Sequence, residues 1–332
     1  MHEIGGEFWN VPMCAQATHV FPETTQWFLA GRSALQAVIQ ELKGVRSVSL
    51  PSWCCRSMIK PFADAGYTVR FYPVFFDGGL KQEIAFDSDV LLLMDYFGYT
   101  GQPPNLEGYT GIVIRDVTHS LFSSPYADAD YSFGSLRKWC GVWTGGYAWS
   151  KDGHRVLPRA SDDRGYASLR EKAMQLKTSY IHDRGVRDKG YLQLFEQAED
   201  QLEKAGIVAA ADRDVWAAQR IDGARIREAR RKNAAVLIEA FPDWRILSDM
   251  KETDCPLFVP VLIPAGKRDG LRRFLAQHEI YCPVHWPLSE YHRLDQKTAW
   301  FYQTELSLVC DQRYTERDMY RMVETIKQFM ER

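Results

Sequence analysis

The chain has 332 residues, of which 45% are hydrophobic and 13% aromatic. This length and composition provide enough apolar surface for a full core, and they predict one large domain followed by a smaller one. The formal net charge of -2 provides no excess of basic side chains to neutralise a phosphate backbone, which argues against nucleic acid as a partner.

The seven cysteines lack the paired spacing of a disulfide framework or a zinc site. We therefore expect reduced thiols and no bound metal. The first residues lack the charged and apolar regions of a secretory signal, and the apolar runs are far shorter than the roughly 18 residues of a membrane helix. These features predict a cytoplasmic protein that does not associate with a membrane.

The first strong pattern follows an irregular stretch over residues 1–27. Gly31 and Ser33 precede a helical pattern whose apolar positions share one face: Leu35, Val38, Ile39 and Leu42. Free backbone N–H groups, a hydroxyl group and the positive end of the helix dipole together form an anion site. A phosphate group suits this site, although an ordinary helix N-cap explains the same pattern.

From Val45 to Ser150, short apolar runs alternate with helix-sized segments, which is typical of an α/β fold. Ligands of such folds bind at the carboxyl ends of strands, so polar residues at those ends are candidate site residues. The predicted strands are Arg46–Leu50, Thr68–Tyr72, Val90–Met94, Gly111–Ile114, Asp130–Phe133 and Gly146–Ser150.

Asp116 stands where one of these strands ends, and His119 follows three residues later. In isolation, Asp116 is equally typical of a turn or an N-cap, and His119 of a structural histidine. If Asp116 contacts a cofactor ring, a side chain three positions further on can reach the same ring.

Lys138 ends a serine-containing run and precedes an apolar, aromatic and glycine-rich segment. An Arg-Lys pair alone is usually a solvated surface pair. In this setting we expect a partly desolvated lysine, a state that favours the neutral amine. A buried carboxylate and a lysine 22 residues downstream (116 to 138) are the two groups that pyridoxal phosphate needs. The lysine bonds to the aldehyde, and the carboxylate keeps the ring nitrogen protonated.

The order of these motifs resembles that of the DegT/StrS family of pyridoxal-phosphate sugar aminotransferases. This resemblance implies the PLP-dependent transferase fold type I, with a mixed, mostly parallel sheet flanked by helices and a smaller C-terminal α+β domain. The matching segments are Gly31-Arg32-Ser33-Ala34-Leu35, Pro51-Ser52-Trp53, Asp116-Val117-Thr118-His119, the run from Ser132 to Lys138, Gly145-Gly146 and Leu306-Ser307-Leu308.

The resemblance also implies the reaction and the site. An amino group would pass from a donor, glutamate in this family, to a keto sugar that is nucleotide-linked, with Lys138, Asp116 and His119 as catalytic residues. A homodimer with shared active sites is implied, in which the basic segment around His182 and Arg184 completes the phosphate site of the partner. The implied cofactor-binding residues are Gly31, Arg32, Ser33, Ala34, Trp53, Asp116, His119, Ser132, Ser135 and Lys138.

Two alternatives remain open from the sequence. A PLP-dependent lyase or dehydratase of the same fold would use the same cofactor residues. A non-catalytic binding or regulatory protein would retain only the fold. The presence of both Asp116 and Lys138 favours an enzyme, because a non-catalytic site has no chemical need for the pair.

Beyond residue 150 the chain becomes charged and more helical. Residues 152–188 show little periodicity and are predicted to be a mobile loop or a dimer-facing segment, whereas Asp188–Ala205 has the pattern of a helix. The run Asp214–Phe241 is interrupted by Gly223, which predicts two helices or one bent helix. We place the domain boundary after this run, with a large domain over residues 1–241 and a small domain over 242–332.

The small domain is predicted to contain an edge strand, Leu257–Ile263, and a helix, Asp269–His278. A final helix begins after a capping-box pattern at Thr315. The segment Cys282–Pro287, which includes His285 and Trp286, either lines a substrate cleft or forms a structural loop.

Overall fold

The computed structural model describes residues 3–101, 104–123, 128–160, 162–183, 188–247 and 250–332. It confirms the predicted fold class: the chain is α/β, with a mixed, mostly parallel sheet flanked by helices. Within these described ranges, no helix is both long enough and apolar enough to cross a membrane.

The strands are β1 (Ile4–Gly5), β2 (Gln26–Phe28), β3 (Ser47–Pro51), β4 (Thr68–Tyr72), β5 (Val74–Phe76), β6 (Leu80–Gln82), β7 (Val90–Met94), β8 (Ile112–Asp116), β9 (Tyr131–Ser135), β10 (Gly146–Ser150), β11 (Phe258–Leu262), β12 (Ile280–Tyr281) and β13 (Glu305–Val309). The helices are α1 (Gly31–Glu41), α2 (Arg56–Asp64), α3 (Tyr166–His182), α4 (Tyr191–Lys204), α5 (Asp212–Ala218), α6 (Gly223–Ala240), α7 (Arg268–Gln277), α8 (Gln296–Thr304) and α9 (Glu316–Met330).

Most predicted elements are present, with ends that shift by a few residues. The interrupted run after residue 212 is two helices, α5 and α6, and Thr315 and Asp318 form the predicted capping box of α9. The prediction of a loop is wrong in the centre of residues 152–188, where α3 spans seventeen residues. Its inward face includes Arg170 and Lys177, and charged residues at buried positions conceal a helical period from a hydrophobicity pattern.

The chain divides into two compact units, each of which is discontinuous in sequence. The first unit comprises residues 1–6, 44–128 and 223–332, and the second comprises residues 7–43 and 129–222.

In the first unit, the strands β4, β3, β7 and β8 lie side by side and are parallel. The pairing of Met94 with Asp116 sets the ends of β7 and β8 at the same level, so that their last side chains are neighbours. The C-terminal part of this unit packs α6, α7 and α9 around the antiparallel pair β11 and β13. Its core is apolar and includes Val261, Leu306 and Met322.

In the second unit, β10 pairs with β2 on one side and with β9 on the other, and both pairs are antiparallel. Helix α1 packs against β9 and β10, and α3 packs along α4. Apolar side chains such as Leu29, Tyr166 and Leu202 close the core beneath these elements.

Candidate active site

The lysine cluster comprises Gly31–Ala34, Ser132, Ser135 and Lys138, all in the second unit. Helix α1 begins with Ala30 as its N-cap, whose methyl group cannot accept a hydrogen bond. The first intrahelical bond here runs from Ala34 N to Ala30 O, so the amides of residues 31–33 precede it. Uncapped amides at a helix start are the donors that a phosphate group uses.

Two glycines permit the close approach of α1 to the strands. A Cβ atom on Gly146 would lie 2.0 Å from Ala30 O, and one on Gly31 would lie 3.2 Å from Ser135 Cβ. Side chains alternate along a strand, so Ser132 and Ser135 point to opposite faces of β9. Of the two predicted serines, Ser135 is therefore the one beside the start of α1.

Lys138 lies in a short 3-10 turn, Leu136–Lys138, that directly follows β9. Its side chain is exposed, which differs from the partly desolvated state that the sequence predicts. The aromatic residue that follows it, Trp139, is fully buried. The turn thus leaves the lysine side chain exposed to solvent.

A network of charges anchors this turn. Arg137 Nη1 lies 2.9 Å from Glu199 Oε1 on α4 and also donates to the hydroxyl group of Tyr166 on α3. Arg170, which is 1% exposed, donates to Glu7 Oε2 at 3.0 Å. Desolvation opposes the negative charge of Glu7, although its side chain is 45% exposed, and the positive charges of Arg170 and Arg137 lower its pKa below the usual value. Arg137, which precedes Lys138, is therefore bonded to side chains of two helices, α3 and α4.

Arg32 points away from the start of α1. Its Nη1 atom lies 2.7 Å from Glu203 Oε1, at the end of α4. The predicted contribution of Arg32 to anion binding would then come from its backbone amide.

The aspartate cluster comprises Trp53, Phe97, Asp116, His119, His285 and Trp286, all in the first unit. Asp116 is the last residue of β8 and is 7% exposed, and its Oδ1 accepts a hydrogen bond of 2.8 Å from Thr118 N. On the adjacent strand ends, Arg115 Nη2 lies 2.7 Å from Asp95 Oδ1. This ion pair ties the end of β7 to the end of β8 and so fixes the backbone that carries Asp116.

The imidazole of His119 is 3% exposed and has a defined orientation. Its Nδ1 atom accepts a hydrogen bond of 3.3 Å from the backbone N–H of Phe97. In the neutral ring, the proton must therefore be on Nε2, which is then a donor. Phe97 has a φ of 55°, and the next residue, Gly98, has no room for a side chain because a Cβ atom would lie 1.9 Å from Cys255 O.

Trp53 is fully buried. Its ring stacks on Tyr96 at 5.0 Å and on Phe301 at 4.9 Å, and its Nε1 donates to His285 O at 2.7 Å. Trp53 therefore supports the segment around His285 through its hydrogen bond to His285 O.

His285 and Trp286 belong to the segment Cys282–Pro287, for which the sequence left two interpretations open: the lining of a substrate cleft or a structural loop. The ring of Trp286 stacks on His119 with centroids 5.7 Å apart, and the ring of His285 lies edge-on to His119 at the same centroid distance. The structure thus brings this segment against His119. No local motif predicts the contact, because the two segments are more than 160 residues apart in the chain (119 to 285).

The predicted partner-subunit contacts are only partly within the described residues. His182 is the last residue of α3 and is exposed, whereas Arg184 lies outside the described residues.

Comparison with known proteins supports the fold rather than a close relationship. Sequence comparison finds neither a matching family model nor a matching curated protein. Among solved structures, the chain is similar to PseC of Helicobacter pylori, an aminotransferase involved in the biosynthesis of pseudoaminic acid. The two share 14% identity with a TM-score of 0.60, over 98% of this chain and 100% of that one.

A DegT/DnrJ/EryC1/StrS aminotransferase from Brucella abortus is 14% identical, with a TM-score of 0.61 over 92% of this chain and 85% of that one. DesI, solved in the presence of its TDP-sugar product, is 15% identical, with a TM-score of 0.62 over 92% of this chain and 80% of that one. The fold implied by the resemblance to sugar aminotransferases is thereby confirmed.

Proposed function

We propose that the protein is a PLP-dependent aminotransferase that transfers an amino group from glutamate to a nucleotide-linked keto sugar in the cytoplasm. The observation that carries the proposal is the pair of Asp116, buried at the end of β8, and Lys138, exposed directly after β9, in a fold shared with sugar aminotransferases. A buried aspartate and an exposed lysine have no chemical reason to occur together unless a single cofactor uses both.

We propose the following residues as those that would hold pyridoxal phosphate. The phosphate group would bind the amides that begin α1 together with Ser33 and Ser135, in a cradle that a side chain on Gly31 would crowd. Asp116 would bind the ring nitrogen, and His119 Nε2–H would donate to the ring hydroxyl group. Lys138 Nζ would bond to the aldehyde.

When bound, pyridoxal phosphate supplies an electron sink for negative charge at the substrate carbon. The chain supplies the rest. Asp116 holds a proton on the ring nitrogen through its negative charge. Lys138 Nζ takes the proton from Cα of the amino donor and later returns one to the acceptor carbon, as general base and then as general acid.

Visible absorption of the purified protein tests this proposal. We expect an absorption band that changes on addition of glutamate. After borohydride reduction, peptide mapping should find the pyridoxyl group on Lys138. Lys151→Ala, at another exposed lysine, is the matched control and should label as the wild type does. A pyridoxyl group on a different lysine, or none, would contradict the proposal.

The fate of the amino group separates this function from elimination or dehydration on the same cofactor. Transfer of nitrogen from glutamate to a keto sugar supports an aminotransferase. Release of ammonia, or loss of water without incorporation of nitrogen, would identify a lyase.

We also propose a homodimer in which each active site takes residues from both subunits. The support is a shortage of charge: Arg32 is already paired with Glu203, so the groups we assign to the doubly charged phosphate are backbone amides and hydroxyl groups. Arg184 of a second subunit would supply the missing cation. Mixed dimers of Lys138→Ala and Arg184→Ala should regain part of the activity. No recovery after confirmed subunit exchange would place each site within one chain.

A further inference from the structure

Three buried polar side chains of the first unit form a continuous chain of hydrogen bonds. Glu305 and Ser307 are both on β13 and are 0% exposed, and His285, which is 7% exposed, lies in the segment that contacts His119. Ser307 Oγ is 2.5 Å from Glu305 Oε1 and 2.8 Å from His285 Nδ1. The second carboxylate oxygen, Oε2, accepts from the backbone N–H of His285 at 2.6 Å.

The direction of these bonds follows from proton counting. Ser307 has a single hydroxyl proton, and it can donate that proton to only one neighbour. When Glu305 is ionised, its oxygen can only accept, so Ser307 donates to Glu305 and His285 Nδ1–H donates to Ser307. A neutral His285 then has no proton on Nε2.

When Glu305 is protonated, the chain reverses. The carboxyl O–H donates to Ser307, Ser307 donates to His285 Nδ1, and the proton of the neutral imidazole is on Nε2. Interconversion of the two states moves one proton between His285 Nε2 and Glu305. The imidazole is neutral in both states.

The surroundings of Glu305 make both states accessible near neutral pH. Burial raises the pKa of Glu305 to about 8, against the opposing hydrogen bonds from Ser307 and His285 N and the charge of Arg268. Arg268, on α7, donates to the backbone oxygen atoms of Tyr302 and Glu305. Cys282, the nearby thiol on the His285 segment, has its pKa raised to about 12 by burial and stays neutral.

Building on the proposed function, we propose that His285 donates and accepts the proton needed at the oxygen atom of the carbonyl substrate, with Ser307 and Glu305 as its proton relay. The placement of His285 supports this role, because the centroid of its ring lies 5.7 Å from that of His119 and 5.3 Å from that of Phe97. His285 is thus part of the aspartate cluster, whereas Ser307 and Glu305 are positioning residues that act through it.

The chemical step balances. Amination of a ketone replaces the carbonyl oxygen, which leaves as water after gaining two protons, while the attacking amine loses two. His285 Nε2 gives one proton to the departing oxygen as Ser307 and Glu305 each pass one along, which leaves Glu305 ionised. The relay regains a proton from the amine nitrogen by the reverse movement. A second cycle of the same two movements transfers the second proton, so no external acid or oxidant is consumed.

Nitrogen NMR of ¹⁵N-histidine-labelled protein tests the relay without reference to activity. His285→Gln identifies the signals of His285, and the pH is raised from about 6 to about 10. We expect the proton to move from Nε2 to Nδ1 as Glu305 ionises. Glu305→Gln should hold the proton on Nε2 at every pH, because its amide group donates to Ser307 as the protonated acid does. Glu324→Gln, at an exposed glutamate, should behave as the wild type.

Steady-state kinetics test the role of the relay. Glu305→Gln should keep the cofactor absorption band, lower kcat by about 10- to 100-fold and remove the alkaline inflection from the pH profile. An unchanged tautomer across the pH range in the wild type would overturn the relay. A tautomer change combined with wild-type kinetics of Glu305→Gln would overturn its role in catalysis. A protein that binds no cofactor would refute the proposed function, and the NMR result would still decide the relay.

Discussion

The lysine cluster and the aspartate cluster hold their functional groups in different ways. In the lysine cluster, the proposed anion site consists mainly of backbone amides, and Lys138 is exposed beside a turn that ion pairs anchor from α3 and α4. In the aspartate cluster, Asp116 and His119 are buried, and hydrogen bonds from backbone amides orient both side chains. The geometry of the lysine cluster therefore depends on close approach between backbone segments. The geometry of the aspartate cluster depends on which buried polar atoms are present.

This difference predicts that substitutions should act differently in the two clusters. Changes in the aspartate cluster should lower the rate while the cofactor stays bound. Changes in the lysine cluster should act on binding of the phosphate group and on stability, with Lys138 itself as the exception.

The largest effect is expected for Asp116→Asn. The amide keeps the shape of the side chain but lacks the negative charge that holds a proton on the ring nitrogen. We expect turnover to fall by about 10²- to 10⁴-fold while the visible absorption band of the bound cofactor persists. Wild-type activity would show that another carboxylate performs this role, and loss of the band would show that Asp116 acts mainly in binding.

Gly146→Ala tests whether the lysine cluster depends on backbone approach. The new Cβ atom would lie 2.0 Å from Ala30 O, so α1 must move away from β10. We expect the free energy of unfolding to fall by about 1–3 kcal/mol and the affinity for pyridoxal phosphate to fall with it. Gly206→Ala is the matched control, because beyond its two neighbours in the chain no described atom lies within 4 Å of the added carbon. Equal stability of the two variants would contradict the prediction.

The free energy of unfolding of Glu305→Gln as a function of pH tests the effect of a buried ionisable side chain. The pKa of Glu305 is raised from 4.5 to about 8, so the folded state retains a proton that the unfolded state loses between these values. The stability contributed by the protonated group is therefore fully present below pH 4.5 and is lost as the pH rises through about 8. The free energy of unfolding should fall by at most about 1.4 kcal/mol for each pH unit.

Urea unfolding of both proteins at a series of pH values measures this slope. Glutamine does not ionise, so Glu305→Gln should lack the slope, whereas Glu324→Gln should keep it. Parallel pH profiles for the wild type and Glu305→Gln would mean that another group carries the proton.

The smallest effect is expected for Arg32→Ala. The guanidinium group is paired with Glu203, and surface ion pairs of this kind contribute about 0–1 kcal/mol to stability. If only the backbone amide of residue 32 contacts the phosphate group, cofactor affinity should change by less than about threefold. A larger loss, measured by titration of the apoprotein with pyridoxal phosphate, would show that the side chain turns toward the cofactor.

The sequence by itself determined the local features of the site. Three of the strands, β4, β7 and β10, have the bounds that short apolar runs between helix-sized segments predict, and the start of α1 follows from a glycine and a serine before a helical pattern. The sequence selects Asp116 as a candidate because it stands where an apolar strand ends, and Lys138 because it lies between a serine-containing run and a glycine-rich segment. Their catalytic roles stay a prediction. The helix α3 was missed because buried Arg170 and Lys177 interrupt the apolar pattern that identifies a helix.

Only the tertiary structure decided which distant residues meet. It selected Ser135 rather than Ser132 as the neighbour of Gly31, paired Arg137 with Glu199, and joined Glu305 and Ser307 to His285. The physical reason is that local patterns report the burial and period of one element, whereas a hydrogen bond between elements depends on the packing of both. The raised pKa of Glu305 has the same origin, since desolvation arises only when β13 is enclosed by its neighbours.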